Sequence, residues 1–215
     1  MAKLTDLGFS KGAIVETIVS TYNKNGEANA APMGTIMWND QTILIRLYTS
    51  SATYKNLRFS RCAVVNLTSD IDLFYNTTFK DTNPEGIPSE WFEKAETVNA
   101  PKLRTADAAI EIKLAKTAPI DAEKTEAACN VKMIKASRVL PKAYCRAFSA
   151  TMEAIIHATR VKALINLAEE KERVSKLLET IGNCNDIVKR TAPNSRYTEI
   201  MADLTEKISS WRIPK

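Results

Sequence analysis

The sequence predicts an α+β protein in which a mainly antiparallel β-barrel is followed by a C-terminal helical domain. The first two-thirds of the 215 residues contain short segments that are rich in β-branched residues and separated by tight turns, which is typical of small barrels. From Ala147 onward, apolar residues recur with the period of an α-helix instead. We therefore expect one domain over residues 1–146 and a second over residues 147–215.

Strands dominate the first domain, with one short helix among them. The first two strands should form a hairpin around Asn23–Gly26, where glycine supplies a positive φ angle. The segment Asp81–Ala106 is expected to cap the barrel or to line an entrance to it. The predicted helix is Ser51–Phe59, and the predicted strands are Ala13–Thr21, Ala28–Trp38, Thr42–Leu47, Cys62–Thr68, Ala108–Lys116 and Glu126–Ser137.

The second domain should contain three helices, of which Tyr197–Ser210 is the last. The only histidine, His157, lies in the first of them and shares a polar face with Glu153 and Arg160, which are one helical turn away. We expect this histidine to be solvated or ion-paired. A role as a proton donor near a bound ligand is the alternative.

Composition and charge argue against several functional classes. The 30 lysines and arginines outnumber the 25 acidic residues only slightly and are spread along the chain, so no nucleic-acid partner is expected. One histidine and four well-separated cysteines predict no metal site. No apolar segment has the length of a membrane span and no signal peptide is evident, so we expect a cytoplasmic protein. No catalytic residue is predicted, because glycine-rich phosphate loops and a Gly-x-Ser-x-Gly sequence are absent from the chain.

An arginine closes the third predicted strand. Because side chains alternate across a strand, Ile43, Ile45 and Leu47 share the face that should fill the barrel. Arg46 then projects outward, where it could meet an anion or a partner subunit. A surface arginine without a ligand is the structural alternative.

Hydroxyl side chains are concentrated between this strand and the helix that follows. One of them is needed as the helix N-cap, but four hydroxyls within five residues exceed that need. Together with the unpaired N–H groups of the helix N-terminus and with Arg46, they indicate a site for a phosphate monoester. Asn56 lies in the first turns of the helix and could reach the same anion. The four hydroxyl residues are Thr49, Ser50, Ser51 and Thr53.

The second predicted strand contains small residues, a proline and a glycine between Ala30 and Thr35. A glycine in a strand often marks the close approach of another backbone or of a ligand, and Pro32 requires an edge or a bulge. A flat aromatic ring lying against this backbone would explain these residues. A structural bulge that bends the strand explains them equally well.

Three segments of the barrel region, Glu16–Thr21, Asn29–Gly34 and Arg46–Asn56, resemble the largely archaeal flavoprotein family called domain of unknown function 447. The helical stretch Ala154–Arg160 is also similar to the C-terminal half of that family. Members of the family resemble the FMN-binding split-barrel proteins, which are homodimers with flavin at the subunit interface. The resemblance therefore implies a split barrel, a homodimer and an FMN cofactor.

The same resemblance implies roles for individual residues. Backbone around Met33, Gly34 and Thr35 would border the isoalloxazine ring of the flavin. Tyr144 and Arg146 are candidates for completing the site of a second subunit. The remaining cofactor-binding candidates, which would hold the phosphate and ribityl chain or lie beside them, are Arg46, Tyr48, Thr49, Ser50, Ser51, Thr53 and Asn56.

The resemblance supplies a cofactor and an architecture but no substrate. We expect an FMN-dependent oxidoreductase with an unidentified small-molecule redox partner, in which the flavin performs the redox chemistry. One alternative is a protein that holds FMN or another phosphorylated ligand without turnover, as a carrier or a sensor. The other is a structural interaction module whose hydroxyl groups only cap a helix.

Overall fold

The computed structural model describes residues 2–80, 87–137 and 145–211, and the chain divides into two compact units, Met1–Leu140 and Pro141–Lys215. The first unit is a β-barrel and the second is helical, so the predicted α+β class is confirmed. The predicted domain boundary after residue 146 falls one residue inside the first helix of the second unit. None of the described helices is long and apolar enough to cross a membrane.

Each strand that the sequence predicts is present in the first unit, with ends shifted by three residues or fewer. The strands are β1 (Ile14–Tyr22), β2 (Ala28–Asn39), β3 (Thr42–Tyr48), β4 (Cys62–Leu67), β5 (Phe92–Lys94), β6 (Pro101–Leu103), β7 (Ala108–Pro119) and β8 (Lys124–Ala136). The helices of this unit are α1 (Ala52–Ser60) and α2 (Ile71–Thr78), and the second unit contains α3 (Arg146–Leu164), α4 (Lys171–Thr191) and α5 (Arg196–Trp211). Short 3-10 helices cover Leu4–Leu7, Ser89–Trp91 and Ala168–Glu170.

Six strands close into an antiparallel barrel in the order β1-β2-β3-β8-β7-β4, with β4 pairing back to β1. The alternation predicted for β3 is confirmed, because Ile43, Ile45 and Leu47 are buried in the barrel core whereas Arg46 is exposed. The chain therefore has the predicted architecture, a split barrel followed in sequence by helices.

β2 is not paired with β3 along about half of its length. Its residues from Ala28 to Ile36 pair with β1 in continuous register, but pairing with β3 begins only at Thr35. The 28–34 segment of β2 is consequently an open edge on the side of β3, and no described strand pairs with it there. Pro32 lies in this segment, which confirms its predicted edge position; the bulge of β2 lies between Met37 and Asn39 instead.

Two structures that the sequence analysis does not predict complete the first unit. Helix α2 packs against β2, and its N-cap is Asp70, whose carboxylate accepts hydrogen bonds from Asp72 N and Leu73 N. Strands β5 and β6 form a separate two-stranded sheet. The described part of the Asp81–Ala106 segment thereby covers the outer wall of the barrel at β1 and β4, and its residues 81–86 lie outside the described part.

The second unit is a set of three mutually packed helices, as the sequence predicts. Its core contains Ile155 and Val161 of α3, Val188 of α4 and Leu204 of α5. These residues follow the helical period that distinguishes this part of the sequence.

A buried asparagine fastens β6 to the barrel. Asn66 Nδ2 donates to Ile18 O at 2.8 Å and to Ser20 Oγ at 2.9 Å, and Asn66 Oδ1 accepts from Leu103 N at 2.9 Å. Ser20 Oγ in turn donates to Pro101 O at 2.6 Å. Each polar atom of the Asn66 side chain is therefore used to join β1, β4 and β6.

Replacing Asn66 by alanine should lower the free energy of unfolding by about 2–4 kcal/mol, because several buried backbone groups would lose their partners. Denaturant unfolding followed by circular dichroism measures this loss. The matched control is Asn130→Ala at an exposed position of β8, which should change stability by less than about 0.5 kcal/mol. Equal stability of the two variants would contradict the anchoring role.

Candidate functional site

The junction between β3 and α1 is built from local hydrogen bonds. Ser51 is the N-cap of α1, since its Oγ accepts from Tyr54 N at 3.2 Å, and the same hydroxyl donates to Tyr48 O at 2.7 Å. Thr49 is attached to the β7–β8 turn, because its N–H and its hydroxyl both donate to Glu123 O, at 2.8 and 3.1 Å. Two of the four predicted hydroxyl groups thus hold the junction in place.

Thr53 and Asn56 lie on the face of α1 that packs against the barrel. Their side chains are only 1% and 7% exposed. Thr53 Oγ1 accepts from Asn29 Nδ2 of β2 at 3.4 Å, and Asn56 Nδ2 donates to Thr21 Oγ1 of β1 at 3.1 Å. The predicted site residues of α1 are therefore in contact with the β1–β2 hairpin, with Thr53 beside the open edge of β2.

A lysine that the sequence analysis does not select lies next to this edge. Lys80 follows α2, is partly buried, and donates from Nζ to Asn29 Oδ1 at 2.6 Å. Burial lowers the pKa of the Lys80 ammonium below its ordinary value. The carboxamide of Asn29 thus joins Lys80 on one side to Thr53 on the other.

Two backbone N–H groups in the first turn of α1 are left without a hydrogen-bond acceptor among the described residues. Ser51 satisfies the N–H of Tyr54, whereas the N–H groups of Ala52 and Thr53 have no acceptor among the residues that the structure describes. The hydroxyl of Ser50 is likewise without a described partner, and this residue is exposed. Free N–H groups, hydroxyls and a nearby ammonium are the donors that bind a phosphate monoester.

Arg46 and Tyr48 point elsewhere. Arg46 Nε lies 3.2 Å from Glu126 Oε2, its cross-strand neighbour on β8, and the arginine side chain is 60% exposed. The open groove of about 400 Å³ beside it is lined by residues of β7, β8 and their turn and by none of the hydroxyl residues. Tyr48 is also exposed, and Lys124 Nζ lies 5.0 Å from the centre of its ring.

Of the predicted ring-binding segment of β2, Met33 and Gly34 lie on the open edge, whereas Thr35 is the first residue of β2 that pairs with β3. Met33 O accepts from Thr17 Oγ1 at 2.9 Å, and Thr35 Oγ1 donates to Val15 O at 3.2 Å. A Cβ atom on Gly34 would lie 2.8 Å from Ile14 Cγ2, so packing against β1 accounts for this glycine. Only Met33 and Gly34 therefore belong to the open backbone edge, while the Met33 carbonyl and the Thr35 hydroxyl are bonded to β1.

The remaining candidates belong to the second unit or lie outside the described residues. Tyr144 lies outside the described part of the chain, and Arg146 is the first residue of α3. His157 Nε2 lies 3.1 Å from Glu153 Oε1, and its Nδ1 lies 3.5 Å from Arg160 Nη1. His157 thus contacts Glu153 and Arg160, the two polar residues with which it was predicted to share a helix face.

Asn29 and Lys80 were not identifiable as site residues from the sequence. Their contact joins residues 51 positions apart, and no motif precedes or follows Lys80. The signals near Asn29 were the small residues of β2 and the family resemblance of the segment Asn29–Gly34.

The chain is a split-barrel protein with a C-terminal helical unit. Its barrel has six strands, and the N-terminus of α1 lies against the open edge of the second strand. The family model described as "Protein of unknown function (DUF447) N-terminal domain" matches residues 15–140. The chain belongs to this family.

The chain is similar to several solved structures, over different shares of its length. An FMN-bound DUF447 protein of Methanosarcina mazei is 24% identical and has a TM-score of 0.78, with 94% of this chain and 98% of that protein covered. A 2-nitrobenzoate 2-nitroreductase of Pseudomonas fluorescens is 18% identical with a TM-score of 0.48, over 61% of this chain and 68% of the other. Component B of a nitrilotriacetate monooxygenase of Bacillus cereus is 15% identical with a TM-score of 0.48, over 65% and 78%.

Two adjacent serines provide a test of which hydroxyl groups are structural. Ser51→Ala removes the N-cap of α1 and should lower the free energy of unfolding by about 1 kcal/mol. Ser50→Ala removes an exposed hydroxyl and should leave stability within about 0.5 kcal/mol of the original. Thermal and urea unfolding of the two variants measure both values, and a greater loss for Ser50→Ala would refute the assignment of the cap.

Proposed function

We propose that this chain is an FMN-binding flavoprotein that binds the phosphate at the N-terminus of α1 and the flavin ring along the open edge of β2. The observation that carries this proposal is the contact of Thr53 with Asn29, which brings free N–H groups of α1 to that edge. The FMN-bound relative from Methanosarcina mazei shares the fold along nearly all of both chains and supports FMN as the ligand.

The N-terminus of α1 suits the phosphate end of FMN, and the open edge of β2 suits its flavin ring. A phosphate monoester carries about two negative charges near neutral pH and is attracted by the positive end of a helix dipole. Alternate peptide groups of residues 28–34 of β2 point away from β1, toward the open side. Such N–H and C=O groups match the donors and acceptors at the edge of a flavin ring.

The active assembly is proposed to be a homodimer. Two large apolar side chains are exposed on neighbouring strands, Ile14 of β1 at 62% and Trp38 of β2 at 58%. Ile14 is paired with Ile36, two residues from Trp38, so the two side chains adjoin, and adjoining exposed apolar groups support a protein–protein interface. Arg46 lies on the same outer surface, where a partner subunit would meet it.

The reaction class that we propose is oxidoreduction. The bound FMN would supply the redox chemistry, and the residues of this chain would bind it, orient it and control which small molecule reaches it. No acid or base of the chain is assigned a catalytic role.

Mixing the purified chain with FMN should give a yellow complex that survives gel filtration. Thr53→Val should weaken FMN binding by about 2- to 10-fold, because one buried hydroxyl is lost at the phosphate end. Thr117→Val, at an exposed position of β7, is the matched control and should bind FMN like the original chain. Quenching of flavin fluorescence measures the three affinities.

A colourless protein after exposure to FMN would overturn the proposed cofactor. For a yellow protein, anaerobic addition of NADH or NADPH tests the reaction class, since an oxidoreductase that uses these donors would lose its visible flavin absorption. Persistent absorption with every reductant tried would favour a carrier or sensor. Light scattering during gel filtration tests the homodimer separately.

A further inference from the structure

Lys80 is a charged group in an unusual position. Its ammonium is partly buried beside β2 and donates to the neutral Asn29 side chain, and no carboxylate among the described residues pairs with it. Holding a cation away from water without an anionic partner costs free energy, and the pKa of Lys80 is lowered for this reason. An anionic ligand would remove this cost.

The surroundings of Lys80 indicate where such a ligand would bind. Asn29 accepts from Lys80 Nζ at 2.6 Å with its oxygen and donates to Thr53 Oγ1 at 3.4 Å with its nitrogen. One carboxamide group therefore separates the ammonium from the first turn of α1. The free N–H groups of Ala52 and Thr53 lie in that same turn.

Arg46 is the cation that the sequence predicts for the phosphate. Its guanidinium is paired with Glu126, is 60% exposed, and lines a groove that contains none of the hydroxyl residues. Glu126 partly neutralises the Arg46 guanidinium, and its carboxylate would repel a phosphate bound beside it. Among the described residues Lys80 has no such carboxylate beside it, because its hydrogen-bond partner is the neutral Asn29 side chain.

We propose that Lys80 provides the positive charge that binds the phosphate group of FMN, and that Asn29 positions it. The inference rests on the proposed function, because it assigns a residue to the phosphate end of the same site. A lysine suits this role as a compact point charge with three donors, one of which bonds to Asn29 while two remain for phosphate oxygens.

The test compares FMN with riboflavin, which has the same ring and ribityl chain but no phosphate. Lys80→Met keeps the apolar stem and removes the charge. We expect the Kd for FMN to rise about 10- to 100-fold, as for the loss of a charge-assisted hydrogen bond, and the Kd for riboflavin to change less than about 3-fold. Fluorescence quenching on the full chain measures both constants.

Two further variants serve as controls. Lys132→Met removes an exposed lysine of β8 and should leave both constants unchanged. Arg46→Met should raise the Kd for FMN less than Lys80→Met does. Circular dichroism verifies that each variant is folded, and Lys80→Gln replaces Lys80→Met if the methionine variant does not fold.

The outcomes separate this inference from the proposed function. Unchanged FMN affinity in the Lys80 variants would overturn the assignment, and so would equal weakening of FMN and riboflavin, which would indicate a merely structural role. Failure of the original chain to bind FMN would overturn the proposed function and this assignment with it.

Discussion

The divergence of β2 from β3 is the constraint on which the candidate site depends. Because β1 pairs with β2 from Ala28 to Ile36 and also with β4, the barrel closes even though residues 28–34 of β2 have no partner on the side of β3. An open strand edge would normally invite aggregation unless it is covered or used. Here α2 packs against β2, and Asn29 binds the first turn of α1.

Polar groups at the start of α1 divide by position into those that fix the β3–α1 junction and those that no described residue binds. Ser51 and Thr49 fix the direction in which the chain leaves β3, through the N-cap and the bond to Glu123. Ser50 and the N–H groups of Ala52 and Thr53 retain donors for a ligand. The structural and the ligand-binding explanations of this cluster are therefore complementary, since capping by one residue leaves its neighbours free.

Local patterns predicted the barrel strands, the inward face of β3 and the change to helices, because alternation and helical period are properties of neighbouring residues. Contacts between distant residues were not predictable in this way. Arg46 contacts Glu126, 80 positions away, and Lys80 contacts Asn29, 51 positions away. The first contact places a carboxylate beside one cation, and the second places a neutral side chain beside the other. Helix α2 was missed because its eight residues are few for a periodic signal.

The measurement that tests the central claim most directly is a crystal structure of the chain grown with FMN. The account predicts phosphate density within hydrogen-bond distance, about 3 Å, of Thr53 N and Lys80 Nζ, with the flavin ring along residues 28–34 of β2. Phosphate density in the groove beside Arg46, or a flavin that does not contact β2, would contradict the account.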